Sequence, residues 1–419
     1  MKRSLAPVAA LLLSTSILLT GQGLQGTLLP VRATLENFTT LAIGTMGAAY
    51  FLGFTLGCLK GGSLISKVGH VRVLLAMTAL ASASPLLHGL FVTQWTWSLL
   101  RLVTGFCFAV IYIVIESWLN ERSTNENRGF VFSAYAMITL TVLAIGQMMT
   151  LLYDPSGLQL FAIASVLVSI AAIPVALSDA PTPVAPLVAE VDLRRLFQVS
   201  ATGTIGCLAT GLVNGSFWAL APVFTQGASA NVTLAAWFMT SAVIGGAITQ
   251  WPLGAASDRF GRRSVLVAIV LVGGLASACL VVFSNSVSNL VINLLGGFWG
   301  AMAFPLYAIS VAFANDYAEP NEYVNVSSGL LLMYGIGATI GPFLASALMT
   351  VTNFTGLFLF AACIYVLLLI IALVRAVVRR GVLIRDPVSF RSSLAAARTS
   401  SQVFEEEVLQ SGAQESRLP

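Results

Sequence analysis

Polar residues break this chain at short, regular intervals, and the stretches between them are almost wholly apolar for twenty residues or more. A run longer than about 18 such residues crosses roughly 30 Å of hydrocarbon as a helix. The pattern predicts twelve spans, near residues 5–30, 38–60, 72–93, 96–119, 130–152, 158–178, 198–224, 232–256, 264–283, 288–314, 324–350 and 354–377. Barrel strands would alternate apolar and polar positions, and these runs do not. Connections such as Thr93-Gln94 and Tyr153 to Gly157 are too short to hold an extracellular domain.

Composition agrees with a bilayer. With 57% hydrophobic and 9% charged residues, too little polar surface exists to cover a water-soluble globule. The net charge of +4 is small, and its placement says more than its size. Lys60, Lys67, Arg72, Arg122, Arg128, Arg194, Arg195, Arg259, Arg262, Arg263, Arg379 and Arg380 fall in every second gap, whereas the alternate gaps carry almost only Arg32. The bias predicts an integral protein of the inner or plasma membrane with both termini cytoplasmic. Charges spread over separate loops make no continuous basic face for nucleic acid. Cys58, Cys107, Cys207, Cys279 and Cys363 sit in apolar runs without a Cys-x-x-Cys pair and read as small core residues. Met1-Lys2-Arg3 and the apolar run after it read as a first span, since removing it as a signal would leave an odd number of spans.

The chain repeats itself. A shift of 192 positions (261 minus 69) carries Gly62 onto Gly254, Gly69 onto Gly261 and Gly105-Phe106 onto Gly297-Phe298. The predicted organisation is a six-helix bundle over 1–178, a Pro-rich cytoplasmic linker over 179–197, a second six-helix bundle over 198–378 and a polar, disordered tail over 379–419. Parallel repeats of this kind place substrate between the halves near the midplane.

Gly254-x-x-x-Asp258-Arg259-Phe260-Gly261-Arg262-Arg263 resembles the loop motif of the major facilitator superfamily, and Arg101-x-x-x-Gly105 is similar to its second motif. Glu116-Ser117, Asn127-Arg128-Gly129, Gln250-Trp251-Pro252 and Gly341-Pro342 look like the YcaD-like branch. The resemblance implies an all-α fold of twelve transmembrane helices in two pseudo-repeated bundles. It also implies a cytoplasmic latch at Asp258 and a cavity lined by the first, fourth, seventh and tenth helices.

In the loop, Gly254 permits close helix approach and Gly261 a turn. Asp258 can accept from Arg259 or from free amides at a helix start; alternatively the arginines, Arg262 included, only fix topology. The earlier copy has Ser66 and His70 where the family has an acid and an arginine. Arg101 lies inside the fourth span, where a charge costs about 3 kcal/mol and needs a partner, a wet cavity or a route to the surface. Phe108, Tyr112 and Glu116 share its broad face. Glu116 is 15 residues from Arg101 (116 minus 101), some 22 Å along a helix, so the two cannot pair. It reads as a gate partner of Arg72, Arg122 or Arg128, or as a proton carrier.

The lining set comprises Gln22, Gln25, Asn214, Trp218, Asn293, Phe304 and Tyr307, with Gln147 and Trp237 as weaker members. Such aromatic walls suit a planar organic solute, for which a vitamin such as riboflavin is one example. Gly337-x-x-x-Gly341-Pro342 could pack closely or bend as a hinge. The expected activity is secondary active transport of a small organic solute by a monomer, with proton symport implied by the superfamily. A uniporter or drug or metabolite exporter, and a transport-inactive sensor or scaffold, are the alternatives. No cofactor is expected. Among enzyme signatures, His-Glu-x-x-His, Gly-x-Ser-x-Gly and the phosphate-binding Gly-Lys loop do not occur.

Overall fold

The computed structural model describes residues 2–122, 128–176, 192–229, 231–319 and 322–378. The expected linker core and the tail from 379 lie outside the described residues. The first half comprises α1 (Lys2–Leu35), α2 (Thr40–Val68), α3 (His70–Leu90), α4 (Gln94–Arg122), α5 (Arg128–Met148), α6 (Gln159–Ile170) and α7 (Ile173–Ala176). The second comprises α8 (Leu193–Ala228), α9 (Val232–Phe260), α10 (Arg262–Phe283), α11 (Asn289–Ala303), α12 (Pro305–Asn315), α13 (Tyr323–Val351) and α14 (Gly356–Val378). Ten of these helical stretches are long and apolar enough to cross a membrane, and α6 with α7 adds a shorter apolar one. α1, at 34 residues, has the length as well, about 50 Å at 1.5 Å per residue.

Counted as rods, α6 with α7 forms one, and α11 with α12 forms another, giving the twelve that the sequence predicts. The tenth rod breaks at Phe304 because Pro305 cannot donate the backbone bond that a continuous helix needs. α8 starts inside the stretch expected as linker. Asp192 caps it, its Oδ1 accepting from the amides of Arg194 at 2.8 Å and Arg195 at 3.1 Å, and a non-helical Ser200 (φ −154°) then separates this short lead from the long apolar part.

The 192-residue shift holds in the backbone. It carries the bounds of α2 onto those of α9, since 40 and 68 become 232 and 260. The two turns also match: Gly69 has φ 93° and ψ 152°, and Gly261 has φ 86° and ψ 131°. Nothing lies near where a Cβ would stand at either glycine. Glycine is therefore required there by the dihedrals, which side-chain-bearing residues avoid, and not by crowding.

The Gly69 and Gly261 turns mark the end of the molecule where Lys60, Lys67, Arg72, Arg194, Arg195, Arg259, Arg262 and Arg263 lie; the opposite end holds Arg32 and the Asn37 and Ser284 turns. One apolar core joins the two halves at that opposite end, where Leu24, Leu28, Ile43, Met46 and Trp97 share a cluster with Val213, Phe217, Leu220 and Met349. Toward the basic end the first half has its own cluster around Ile65, Val73, Ile113 and Trp118, and the second half has another around Leu196, Val311, Leu330 and Met333. The halves thus share apolar packing at one end and part at the other. Small residues make the shared seam close: a Cβ on Gly44 would strike Ser346 and one on Gly47 would strike Ala219. Beside the seam, Thr240 of α9 donates to Gln147 of α5 at 3.3 Å, a bond between the halves that is shielded from solvent.

Candidate functional site

Midway along the first half, four polar side chains form a chain. Gln22 on α1 donates from Nε2 to the Tyr50 hydroxyl on α2 at 2.8 Å, and its Oε1 accepts from the Tyr112 hydroxyl on α4. The Arg101 guanidinium, also on α4, stands 4.1 Å from the centre of the Tyr50 ring. Phe54 and Phe108 pack against Tyr112 at 6.1 and 6.3 Å. The expected stripe on α4 therefore divides. Arg101 and Tyr112 are partly open, but Phe108 is 1% exposed and belongs to the core. Gln25 is buried, with neither amide atom hydrogen-bonded.

Across the molecule, Asn214 on α8 takes the place that the 192-residue shift gives to Gln22, and Phe304 takes that of Tyr112 (22 and 112 become 214 and 304). The buried Asn214 amide adjoins Tyr334 on α13, and its Oδ1 has no hydrogen-bond partner. Tyr334 packs on Tyr307 with ring centres 4.8 Å apart, and the Tyr307 hydroxyl is also unpartnered. Trp218 and Phe304 stack at 5.5 Å and remain partly open.

Asn293 does not join this group. Its backbone oxygen accepts from Ser241 of α9 at 2.8 Å, and it sits 11 residues before Phe304 (304 minus 293), about 16 Å along a helix. The break at Phe304 further separates the expected Asn293, Phe304 and Tyr307 stripe into two segments. Trp237 is 49% exposed and faces away from the core.

The Gly261 turn carries a different arrangement from the one that sequence suggests. Asp258 pairs with Arg262 at 3.3 Å, one turn beyond, not with the adjacent Arg259. Arg262 itself is buried and bonds Asp316 just past α12 at 2.7 Å. One guanidinium thereby ties α9 and α10 to the end of the tenth rod. Arg259 lies over the Phe260 ring at 5.4 Å, and Gly254 is buried. At the equivalent first turn no such tie exists among the described residues: Ser66 donates to the Ser63 carbonyl, and buried His70 packs against Trp118.

Glu116 is 3% exposed and accepts from the Tyr135 hydroxyl on α5 at 3.3 Å. Of its expected partners Arg72, Arg122 and Arg128, the side chains of Arg122 and Arg128 lie outside the described residues. Gly341 and Pro342 face different neighbours. A Cβ on Gly341 would strike the Leu212 carbonyl of α8, whereas Pro342 packs against Gly44 and Gly47 of α2.

Tyr50, Tyr334, Asp316, Tyr135 and Thr240 join these groups by contact, and sequence reasoning misses them. The available signal for Asp316 is an acid at the end of an apolar run. A tyrosine inside such a run carries no signal that separates packing from lining.

The Major Facilitator Superfamily family model matches residues 11–229 and 203–400. The chain belongs to that superfamily. Its relatives include an uncharacterized MFS-type transporter, Ent638_1421, from Enterobacter sp. (strain 638), 30% identical over 381 residues that cover 87% of this chain and 95% of the relative. YcaD of Escherichia coli O17:K52:H18, also an uncharacterized MFS-type transporter, is 28% identical over the same shares. These place the chain in the YcaD-like branch. Among solved structures it resembles a mutant form of the nucleoside transporter NupG (TM-score 0.77, 14% identity, covering 88% of this chain and 99% of that one). It also resembles a bacterial homolog of the human lysosomal transporter Spinster in an inward-facing, occupied conformation (TM-score 0.73, 13% identity, 91% and 98%). The twelve-rod architecture is accordingly the superfamily fold, and the protein is an integral membrane transporter.

Proposed function

We propose that the protein carries a small, planar organic solute across the inner or plasma membrane by alternating access. The polar chain of Gln22, Tyr50, Arg101 and Tyr112 on one half, opposite Asn214, Trp218, Phe304, Tyr307 and Tyr334 on the other, carries this reading. Solute sites of repeat-built carriers lie at such a mid-membrane interface. The bundles 1–178 and 198–378 rock about it as two bodies. With the basic end cytoplasmic, the halves meet on the outside and part on the inside, which corresponds to an inward-facing state. The Asp258–Arg262–Asp316 group stiffens the cytoplasmic end of the second half and biases the balance between states. Coupling is to protons, for which Glu116 with Tyr135 is the candidate acid.

Binding in purified protein tests the site. Arg101→Ala should weaken affinity for a transported solute by about tenfold or more, since it removes a charged hydrogen-bonding group worth roughly 1.5–3 kcal/mol, and Asn214→Ala by roughly two- to tenfold, since a neutral one is worth about 0.5–1.5 kcal/mol. Unchanged affinity in both would move the site elsewhere. Uptake into proteoliposomes with and without a pH gradient tests the coupling; accumulation that ignores the gradient would end it.

A further inference from the structure

We propose that the solute is a monoanion, received through its carboxylate by Arg101 and the Tyr50 hydroxyl. The inference rests on the transport reading above and narrows the cargo.

Arg101 stands seven residues into α4 (101 minus 94), about 10 Å along the helix. Two other arginines in shielded positions have acids, Arg32 pairing with Glu36 at 2.6 Å and Arg262 with Asp316 at 2.7 Å, whereas half-buried Arg263, at the basic end, lies 5.8 Å from the Phe313 ring centre. Among the described residues no carboxylate lies within ion-pair distance of Arg101, and no protein acceptor takes its N–H groups; its close contact is the Tyr50 ring. That contact with an aromatic face offsets only part of the cost of holding a charge inside a span, and the five N–H donors of the guanidinium stay unused. The deficit is met when an anion arrives.

The protons in the polar chain are already assigned. Tyr50 accepts from Gln22, so its own O–H points elsewhere and remains a donor next to Arg101. Tyr112 spends its proton on Gln22 and offers only an acceptor. A guanidinium beside a free O–H suits a carboxylate, which accepts from both.

The charge count sets the class. Gln22, Tyr50, Tyr112, Asn214, Tyr307 and Tyr334 are neutral. Glu116 stands 15 residues along α4 from Arg101 (116 minus 101), too far to pair with it, which leaves the Arg101 charge for the cargo to balance. A phosphate monoester would bring a second negative charge without a counterpart, and a neutral solute such as riboflavin would leave Arg101 unmet. The stacked Trp218 and Phe304 faces suit an aromatic body. The unpartnered Tyr307 hydroxyl and Asn214 Oδ1 suit polar substituents at its far edge.

A monoanion also bears on energetics. Drawing one negative charge into an inside-negative cell works against the membrane potential. Uptake then needs at least one accompanying proton to be electroneutral, whereas export needs none.

The test uses the full-length protein in nanodiscs and three acid–amide pairs: 4-hydroxybenzoate with 4-hydroxybenzamide, indole-3-acetate with indole-3-acetamide, and anthranilate with 2-aminobenzamide, plus phenyl phosphate. Thermal unfolding reads binding. At least one acid should bind about tenfold or more tightly than its amide, the difference one charge-assisted pair supplies. Arg101→Gln should erase that preference and Arg101→Lys should retain part of it. Amides binding as well as acids, phenyl phosphate binding best, no acid binding at millimolar concentration, or a preference surviving Arg101→Gln would each overturn the proposal. The comparison of acid with amide in the wild type stands even if a variant fails to fold. A neutral solute that binds and is carried into proteoliposomes would remove the anion class and leave transport intact. A bound acid that is never carried would instead count against transport.

Discussion

At the scale of single residues, the firmest electrostatic feature is Arg262, buried between Asp258 and Asp316. Taking away one partner of a buried ion pair leaves the other charge uncompensated and costs about 3–5 kcal/mol. Arg262→Ala should therefore lower the thermal unfolding midpoint sharply, and Arg262→Lys, which keeps the charge, should lower it less. A midpoint unchanged in Arg262→Ala would contradict that reading. A second pair, Arg195 with Glu322, is more exposed and predicts a pH effect. Two hydrogen bonds from Arg195, at 2.9 and 3.0 Å, hold the Glu322 carboxyl below the usual glutamate range. A depressed acid contributes stability that is present above its ordinary pKa and fades as pH falls through the lowered value. Arg195→Ala should thus lower stability slightly near neutrality, leave it unchanged below the lowered pKa, and so flatten the acid limb by that same small amount, because exposed pairs contribute little.

Helices and their turns are largely legible in the sequence, because span length and glycine spacing act locally. Gly69 and Gly261 can be named from sequence because only glycine takes their dihedrals without strain. The division of the tenth rod is less visible, although Pro305 signals it. The site is legible only in part. The structure groups Gln22, Arg101 and Tyr112 with Tyr50, and Asn214 and Tyr307 with Tyr334; Tyr50 and Tyr334 come from α2 and α13, outside the four helices the family implies. Asn293 enters the expected set through a helical stripe that does not run straight through the break. Asp316 lies 54 residues from Arg262 (316 minus 262), and no periodicity connects positions so far apart. Helix contacts yield their own prediction. A side chain at Gly341 would run into the Leu212 carbonyl of α8, so Gly341→Leu should cost about 1–3 kcal/mol or more through overpacking. Thermal unfolding checks it; a neutral result would mean that α8 and α13 separate more easily than their seam implies.

For the whole molecule, the asymmetry between the two repeated turns is the feature with the widest consequence. The second turn has an acid, a buried arginine and a second acid; the first has Ser66 and His70. Among the described residues only the second holds a charge group together, within the second half, so on the proposed latch role Asp258→Asn should shift the balance of states and Ser66→Ala should not. Alternating access requires the two ends to move in opposite senses, and this can be measured without knowing the cargo. Spin labels on cysteines replacing Lys67 and Arg194 at the basic end, and Glu36 and Ser286 at the opposite end, report both separations by pulsed electron resonance in nanodiscs. A rocking carrier shows two populations at each end, long at one where short at the other, with their ratio moved by Asp258→Asn and not by Ser66→Ala. One fixed distance at each end, the same in the wild type and in Asp258→Asn, would contradict alternating access in this protein.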